Sequence, residues 1–186
     1  LIDFTNKKDD YAILAPISDN IDYPNYKIKN KNFINEQKDN EDYLDVDSVD
    51  GYAMLINKKK FKDEIYFDEN FFLYLENEDL CLRKKQENEK IYVLKSAKIN
   101  HLGGKSPSVE FKKEVEYSRN WHWMWSKFYF HKKHYGYSRA IIKSFAQLFS
   151  SKIKFFYYLI IFNKHKKIIY KMRYLGLLNS IMGRKS

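Results

Sequence analysis

Residues 71–83 read FFLYLENEDLCLR, an aromatic and apolar run that leads into a cluster of acids and then an arginine. From 76 to about 88 the spacing of apolar and polar residues is that of an amphipathic helix. Glu76, Glu78 and Asp79 fall in its first turn, where the positive end of the helix dipole favours anions. The stretch therefore predicts a helix that follows a turn and carries its acids at its start.

The sequence on either side of this helix predicts short strands. Residues 11–15 are a buried strand stopped by Pro16, and 49–56 are a strand interrupted by Gly51, where a small residue permits close approach of another group. Residues 91–102 form one or two strands that end beside His101. The remaining predictions for this part are a short strand near 26–28, loop over most of 17–45, and a short helix over 58–64. Residues 1–108 are thus predicted to be mixed α/β.

Composition divides the chain into two predicted domains, 1–108 and 109–186. The 44% hydrophobic and 18% aromatic content indicates a globular protein and excludes overall disorder. All 24 acidic residues lie at or before Glu116, so the last seventy positions are basic and aromatic. A single cysteine, Cys81, cannot form an internal disulfide, and no Cys/His cluster has zinc spacing. A reducing compartment is expected.

The basic part predicts helices over about 109–135, 138–150 and 152–175, since its aromatic residues recur at helical spacing. Residues 155–162, FFYYLIIF, are too short to span a bilayer and are bracketed by lysines, a pattern typical of a helix that lies on an anionic membrane surface. The alternative is that these helices pack on the preceding domain and simply expose a basic side. Basic residues interleaved with aromatics also occur in single-stranded nucleic-acid binding, but helical spacing favours packing over a stacking platform.

Three groups of side chains could carry chemistry. The acids Glu76, Glu78 and Asp79 are either a solvated helix start or a functional group, that is, a general base with an altered pKa or an anchor for a cation. His101, at the end of a strand beside a Gly-Gly turn, is either an ordinary loop residue or a metal or phosphate ligand. Asp45 and Asp47 are either part of a loop before a strand or a metal-binding pair.

Taken in order, the segments VDGYAMLINKKKF (49–61), IYFDENFFLYLENEDLCLR (65–83) and IYVLKSAKINHLGGKS (91–106) resemble the C-terminal half of the catalytic domain of family 2 glycosyltransferases with the GT-A fold. The resemblance is to the bacterial rhamnosyltransferase-like branch, with its Phe-Asp-Glu-x-Phe-Phe turn, Glu-Asp-x-Asp-Leu-Cys-x-Arg helix and His-x-x-Gly-x-Ser loop. It extends to YAILAP (11–16) and to KFYFHKKHYGY (127–137), and is tightest over 49–106.

The resemblance implies a metal-dependent, inverting transfer of a sugar from a nucleotide-sugar donor to a cell-surface glycan or lipid-linked acceptor. It also implies a role for each matching residue. A base for the acceptor hydroxyl comes from Glu76, Asp79 or Glu78, with Glu76 favoured. Asp50, Gly51 and Arg83 line the acceptor side, His101 helps to hold Mg²⁺ or Mn²⁺, and Gly103, Gly104 and Ser106 form the loop on the donor diphosphate side.

Two departures from the family pattern qualify these roles. Asn77 stands where many relatives carry the second acid, and a carboxamide cannot act as a base. The nucleotide-binding half and its Asp-x-Asp motif lie upstream of the matched region in the family, so this chain by itself is expected to show little or no transfer. Because the acceptors of such enzymes lie at the membrane, we expect a peripheral protein at the cytoplasmic face of the inner membrane.

Overall fold

The structure, a computed structural model, describes residues 1–28, 41–62, 65–101 and 109–186. The chain forms two compact units: unit 1 comprises Leu1–Asp68 and Glu76–Gly103, and unit 2 comprises Glu69–Leu75 and Gly104–Ser186. The predicted loop residues Gly103, Gly104 and Ser106 lie outside the described residues, as does the end of the helix predicted over 58–64.

Unit 1 is a mixed α/β unit. Its described elements are α1 (Ile2–Thr5), β1 (Tyr11–Ser18), β2 (Tyr26–Lys27), β3 (Tyr43–Asp45), β4 (Ser48–Val49), β5 (Leu55–Ile56), a 3₁₀ turn (Lys58–Lys60), α2 (Glu76–Gln86) and β6 (Lys90–Ile99). A four-stranded sheet has the order β3-β6-β1-β5, and β2 pairs with β4 in a separate two-stranded sheet. The central pair, β1 and β6, is parallel, whereas both outer strands are antiparallel to their neighbours.

The two central strands are buried on both faces, as expected for a parallel pair. One face packs a cluster that includes Ile13, Val93, Leu80 and Cys81, the last two supplied by α2. The other face packs Tyr11, Leu14, Tyr92 and Leu94 beneath partly buried aromatic residues. Burial of the sheet between these clusters fixes the position of α2.

Helix α2 agrees with its prediction at both ends. Its first turn carries the three acids and its last turn carries Arg83, Lys84 and Lys85, so both ends complement the dipole. After the last turn Asn88 adopts a left-handed φ of 60°. The amides of Asn88 and Glu89 donate to Lys85 and Lys84 carbonyls at 3.1 and 2.9 Å, which is a Schellman termination.

Several predicted strand boundaries were wrong. β1 does not stop at Pro16 but continues to Ser18, with a register shift in its pairing to β6 just after the proline. The single strand predicted over 49–56 is instead two short strands: β4 pairs with β2, and β5 pairs with β1. β3 lies within the segment predicted as loop, where it gains its hydrogen bonds from β6.

Unit 2 is built on three helices in its described part, α3 (Lys112–Tyr135), α4 (Tyr137–Ile160) and α5 (Lys164–Ile181), preceded by a 3₁₀ turn at Val109–Phe111. The helix break predicted near residue 151 was wrong, because α4 continues to Ile160. The buried core contains Met124, Phe128, Ala140 and Leu177. Along the chain, Trp121 lies against Gly176 and Trp125 against Ser180, so α3 and α5 run in the same direction.

The segment Glu69–Leu75 packs on α3. Phe71 is buried in an edge-to-face contact with Tyr129, at 4.9 Å between centroids, and Ser126 Oγ donates to the Leu73 carbonyl at 2.7 Å. None of the helices in the described ranges has both the length and the apolar character that crossing a bilayer requires.

Candidate functional site

The candidate site lies in unit 1, where the turn after β4 meets the first turn of α2. Asn77 joins the two: its Nδ2 donates to the Val49 carbonyl at 2.8 Å, and a Cβ placed on Gly51 would lie 3.3 Å from the Asn77 Cβ. A carboxylate at position 77 could not donate this bond. Asn77 therefore has a structural role here, and the absence of a side chain at Gly51 permits the close approach.

Asp79 and Arg83 form a buried ion pair. The Asp79 side chain is fully buried and its Oδ2 lies 3.0 Å from Arg83 Nε. The same guanidinium donates to the carbonyls of Tyr66 at 2.6 Å and Ile65 at 3.3 Å. Asp79 was predicted to serve catalysis and Arg83 to bind the acceptor. In the structure, this pair instead holds α2 to the backbone of residues 65–66. Proton transfer to Asp79 would require loss of a charge-assisted bond.

Asp50 lies within electrostatic reach of Glu78, Lys27 and His101. Burial by surrounding atoms is the main cause that raises the pKa of Asp50, although one edge of the residue is exposed, and the negative charge of Glu78 acts in the same direction. Lys27 and His101 oppose the rise. Lys27 Nζ also contacts Glu78 Oε1 directly. The predicted residues Asp50, Glu78 and His101 are therefore brought together.

His101 is held by an aromatic neighbour that the sequence did not identify. Its ring stacks on Tyr52 with 4.2 Å between centroids and 9° between planes. Lys27 lies outside the segments that carry the resemblance, and Tyr52 lies in one of them without an assigned role. The roles of both depend on contacts made across the fold. The position of Tyr52 directly after Gly51 was the one available signal, since residues beside a close backbone approach often face a site.

Glu76 differs from the other acids of the helix. Its Oε2 is buried and accepts no hydrogen bond from any residue in the described ranges. Burial of a carboxylate oxygen without a donor is costly, and such groups in native proteins call for an explanation. Among the three predicted catalytic acids, Glu76 is the one with a buried carboxylate oxygen that has no hydrogen-bond donor in the described ranges, whereas Asp79 is paired with Arg83 and Glu78 with Lys27.

The predicted metal ligands include Asp45, Asp47 and His101. Within residues 1–28, 41–62, 65–101 and 109–186, no three His, Cys, Asp or Glu side chains form a group that could hold a metal ion. Asp45 instead pairs with Lys85 at 2.6 Å and Lys90 at 2.9 Å, which favours its structural interpretation. The described residues do not supply a ligand set, so the requirement for Mg²⁺ or Mn²⁺ stays a prediction from the resemblance.

No family model, no curated protein and no solved structure significantly matches this chain. The function is therefore inferred from the site and from the sequence segments that form it.

Proposed function

We propose that unit 1 is the acceptor-side part of an inverting family 2 glycosyltransferase, with Glu76 as the general base. The enzyme would transfer a sugar from a nucleotide-sugar donor to a cell-surface glycan or lipid-linked acceptor. The observation that carries the proposal is the buried, unpartnered Glu76 Oε2 on the same helical turn as Asn77, which holds the Asp50-Gly51 turn against the helix. The mixed α/β architecture is compatible with the C-terminal part of a GT-A domain.

In the proposed reaction the acceptor hydroxyl displaces the atoms that cover Glu76 Oε2, donates a hydrogen bond to this oxygen and then transfers its proton to it. The hydroxyl oxygen forms a bond to the anomeric carbon of the donor sugar as the bond from that carbon to the nucleoside diphosphate breaks. Attack from the face opposite the leaving group inverts the anomeric configuration. The proton resides on Glu76 and the electron pair leaves with the diphosphate. A divalent cation, when bound, would neutralise charge on that leaving group.

The neighbouring residues position the acceptor. Asp50, whose pKa is raised by burial, sits at the exposed edge of the site and can accept a hydrogen bond from a second sugar hydroxyl. The ion pair of Asp79 with Arg83 fixes the helix that carries Glu76, so these two residues act through position rather than through contact with the acceptor. Lys27 holds Glu78 and lowers the negative charge beside the base.

The test is donor-dependent transfer of labelled sugar to membrane-fraction acceptors by the complete natural polypeptide. Glu76→Gln keeps the size of the side chain and removes the base, and its rate is expected to fall by about 10²–10⁴-fold with donor binding retained. Glu41→Gln, a carboxamide substitution in the same unit but outside α2 and the turn after β4, is the matched control and should transfer at the wild-type rate. A loss in Asp50→Asn or Glu78→Gln with full activity in Glu76→Gln would reassign the base.

The proposed location is the cytoplasmic face of the inner membrane, peripherally bound. Two features support it: lipid-linked acceptors are at that surface, and the described helices contain no span. Cell fractionation followed by release with salt or carbonate would test the location, since a peripheral protein leaves the membrane without detergent.

A further inference from the structure

Helix α4 has its apolar residues on the outside. The positions it buries are occupied by small residues, Ala140, Ser144 and Ser151. Its large apolar residues face outward with 50–75% of their surface exposed: Ile142, Phe145, Phe149, Ile153, Phe156 and Ile160. A helix that packs only within a bundle shows the reverse arrangement.

These six residues, here called the outer stripe, lie on one side of the helix. At about 100° per residue they fall within an arc of about 80°, and at 1.5 Å per residue they extend over about 27 Å. The bundle core uses other residues, with Ile141 and Leu148 of α4 packed against it. An apolar surface this long and continuous on a helix marks an interaction site rather than scattered exposure.

The charge around the outer stripe identifies the partner. Arg139 and Lys152 border the stripe on its two sides, and both are exposed. Residues 117–186 contain no Asp or Glu, so the surface has no acid to pair with a second copy of itself. An apolar face with basic borders fits the interface of an anionic membrane, where the face enters the acyl boundary and the cations meet headgroups.

A cavity at the beginning of the outer stripe supports the same partner. It has a volume of about 310 Å³ and is lined by His131, Tyr135, Arg139, Ile142 and Lys143. Ile142 belongs to both the cavity and the stripe, so a lipid whose chains contact the stripe can place its phosphate near Arg139 and Lys143. The guanidinium of Arg139 and the amine of Lys143 are hydrogen-bond donors that suit a phosphate oxygen.

We propose that α4 lies in the plane of an anionic phospholipid membrane, with its outer stripe in the acyl boundary and a lipid phosphate in the cavity lined by Arg139 and Lys143. This surface consists of residues of unit 2 only, and the membrane proposal does not depend on the transfer reaction. Loss of membrane binding in a stripe variant that keeps wild-type transfer to a soluble acceptor would therefore separate the two proposals.

The test is co-sedimentation of the chain with vesicles of phosphatidylcholine containing 30% phosphatidylglycerol, compared with pure phosphatidylcholine. The wild type is expected to bind the anionic vesicles preferentially. Phe145→Gln and Phe149→Gln should each weaken binding about tenfold. Ile21→Gln, an apolar residue of unit 1 with 93% exposure, is the matched control and should bind as the wild type does.

The cavity is tested by a pair of charge substitutions. Lys143→Gln should weaken binding about fivefold, whereas Lys171→Gln on the exposed side of α5 removes the same charge with a smaller effect. Equal effects of the two would overturn the assignment of the cavity. All five variants change exposed side chains, and circular dichroism would confirm that they fold.

Two results would overturn the membrane proposal. One is equal, weak binding of wild type and Phe149→Gln to both vesicle types. The other is a dimer in sedimentation velocity without lipid that Phe149→Gln converts to monomer, since the stripe would then be covered by a second copy. A fluorophore on a cysteine at position 149 should shift to shorter wavelength with anionic vesicles and be quenched by acyl-chain spin labels.

Discussion

Replacement of Gly176 by alanine should disrupt a close contact between α3 and α5 in unit 2. A Cβ on this residue would collide with the carbonyl oxygen of Trp121 on α3 and lie 2.9 Å from its carbonyl carbon. Both atoms belong to helical backbone, which cannot rotate away as a side chain can. One turn on, Ser180 Oγ donates to the Trp125 carbonyl at 2.9 Å, so the separation of the two helices is set by small residues.

The expected loss in the free energy of unfolding follows from the movement that the added methyl group forces on α5. To admit the methyl group, α5 has to shift away from α3, which costs about 1–3 kcal/mol as overpacking. The shift strains the bond from Arg173 Nε to Asn120 Oδ1, at 2.7 Å, and that from Trp125 Nε1 to the Arg184 carbonyl, at 2.8 Å, each worth about 1 kcal/mol. Alanine recovers about 1 kcal/mol of helix propensity. The net loss in the free energy of unfolding is about 3 kcal/mol.

The assay is urea unfolding followed by tryptophan fluorescence, because all three tryptophans of the chain lie in α3 and report on unit 2. Gly183→Ala is the matched control: Gly183 has a φ of 72° and no atom within 4 Å of an added Cβ, so only the left-handed backbone costs, about 1–2 kcal/mol. If Gly176→Ala unfolds at the wild-type urea concentration, the backbones of α3 and α5 do not approach closely at Trp121 and Gly176.

Three further outcomes follow from buried groups. Arg83→Met leaves the Asp79 carboxylate buried without its cation and should cost about 3–5 kcal/mol in urea unfolding, most of it recovered by adding Asp79→Leu; full stability of the single variant would refute the pair. Burial raises the pKa of the Cys81 thiol to about 12, so a disulfide reagent at pH 8 should label it after unfolding and not before. Burial, helped by nearby positive charges, lowers the pKa of His131 below its unfolded value, so its contribution to stability is present above that value and is lost as pH falls through the folded pKa. Unfolding measured from pH 7 to 5 should show a smaller decline in His131→Gln, and parallel declines would contradict this.

Local sequence signals were sufficient to predict that the helices exist, but not where each helix ends. The acids at 76–79 and the lysines at 84–85 agree with the dipole, so α2 was predictable. The predicted helices left a break near residue 151, yet Ser151 is buried against the bundle and α4 continues. The actual break is at Phe162, where φ is 56°, and Asn163 then caps α5.

Strand pairing and most of the site depended on distant contacts. β3 has little strand character of its own and forms because β6 supplies its hydrogen bonds. The resemblance predicted that Asp50 and the acids of α2 share a site, and the structure brings Asp50 and Glu78 within electrostatic reach. Lys27 could not be predicted, since 51 residues separate it from Glu78.

The transferase proposal is tested most directly by one ratio: the rate of sugar transfer by Glu76→Gln over that of the wild type, measured at saturating donor in the complete natural polypeptide. A base that removes the acceptor proton predicts a ratio of about 10⁻² to 10⁻⁴ with unchanged donor binding. A ratio near one, with Glu41→Gln also near one, would contradict the assignment of Glu76 as the base.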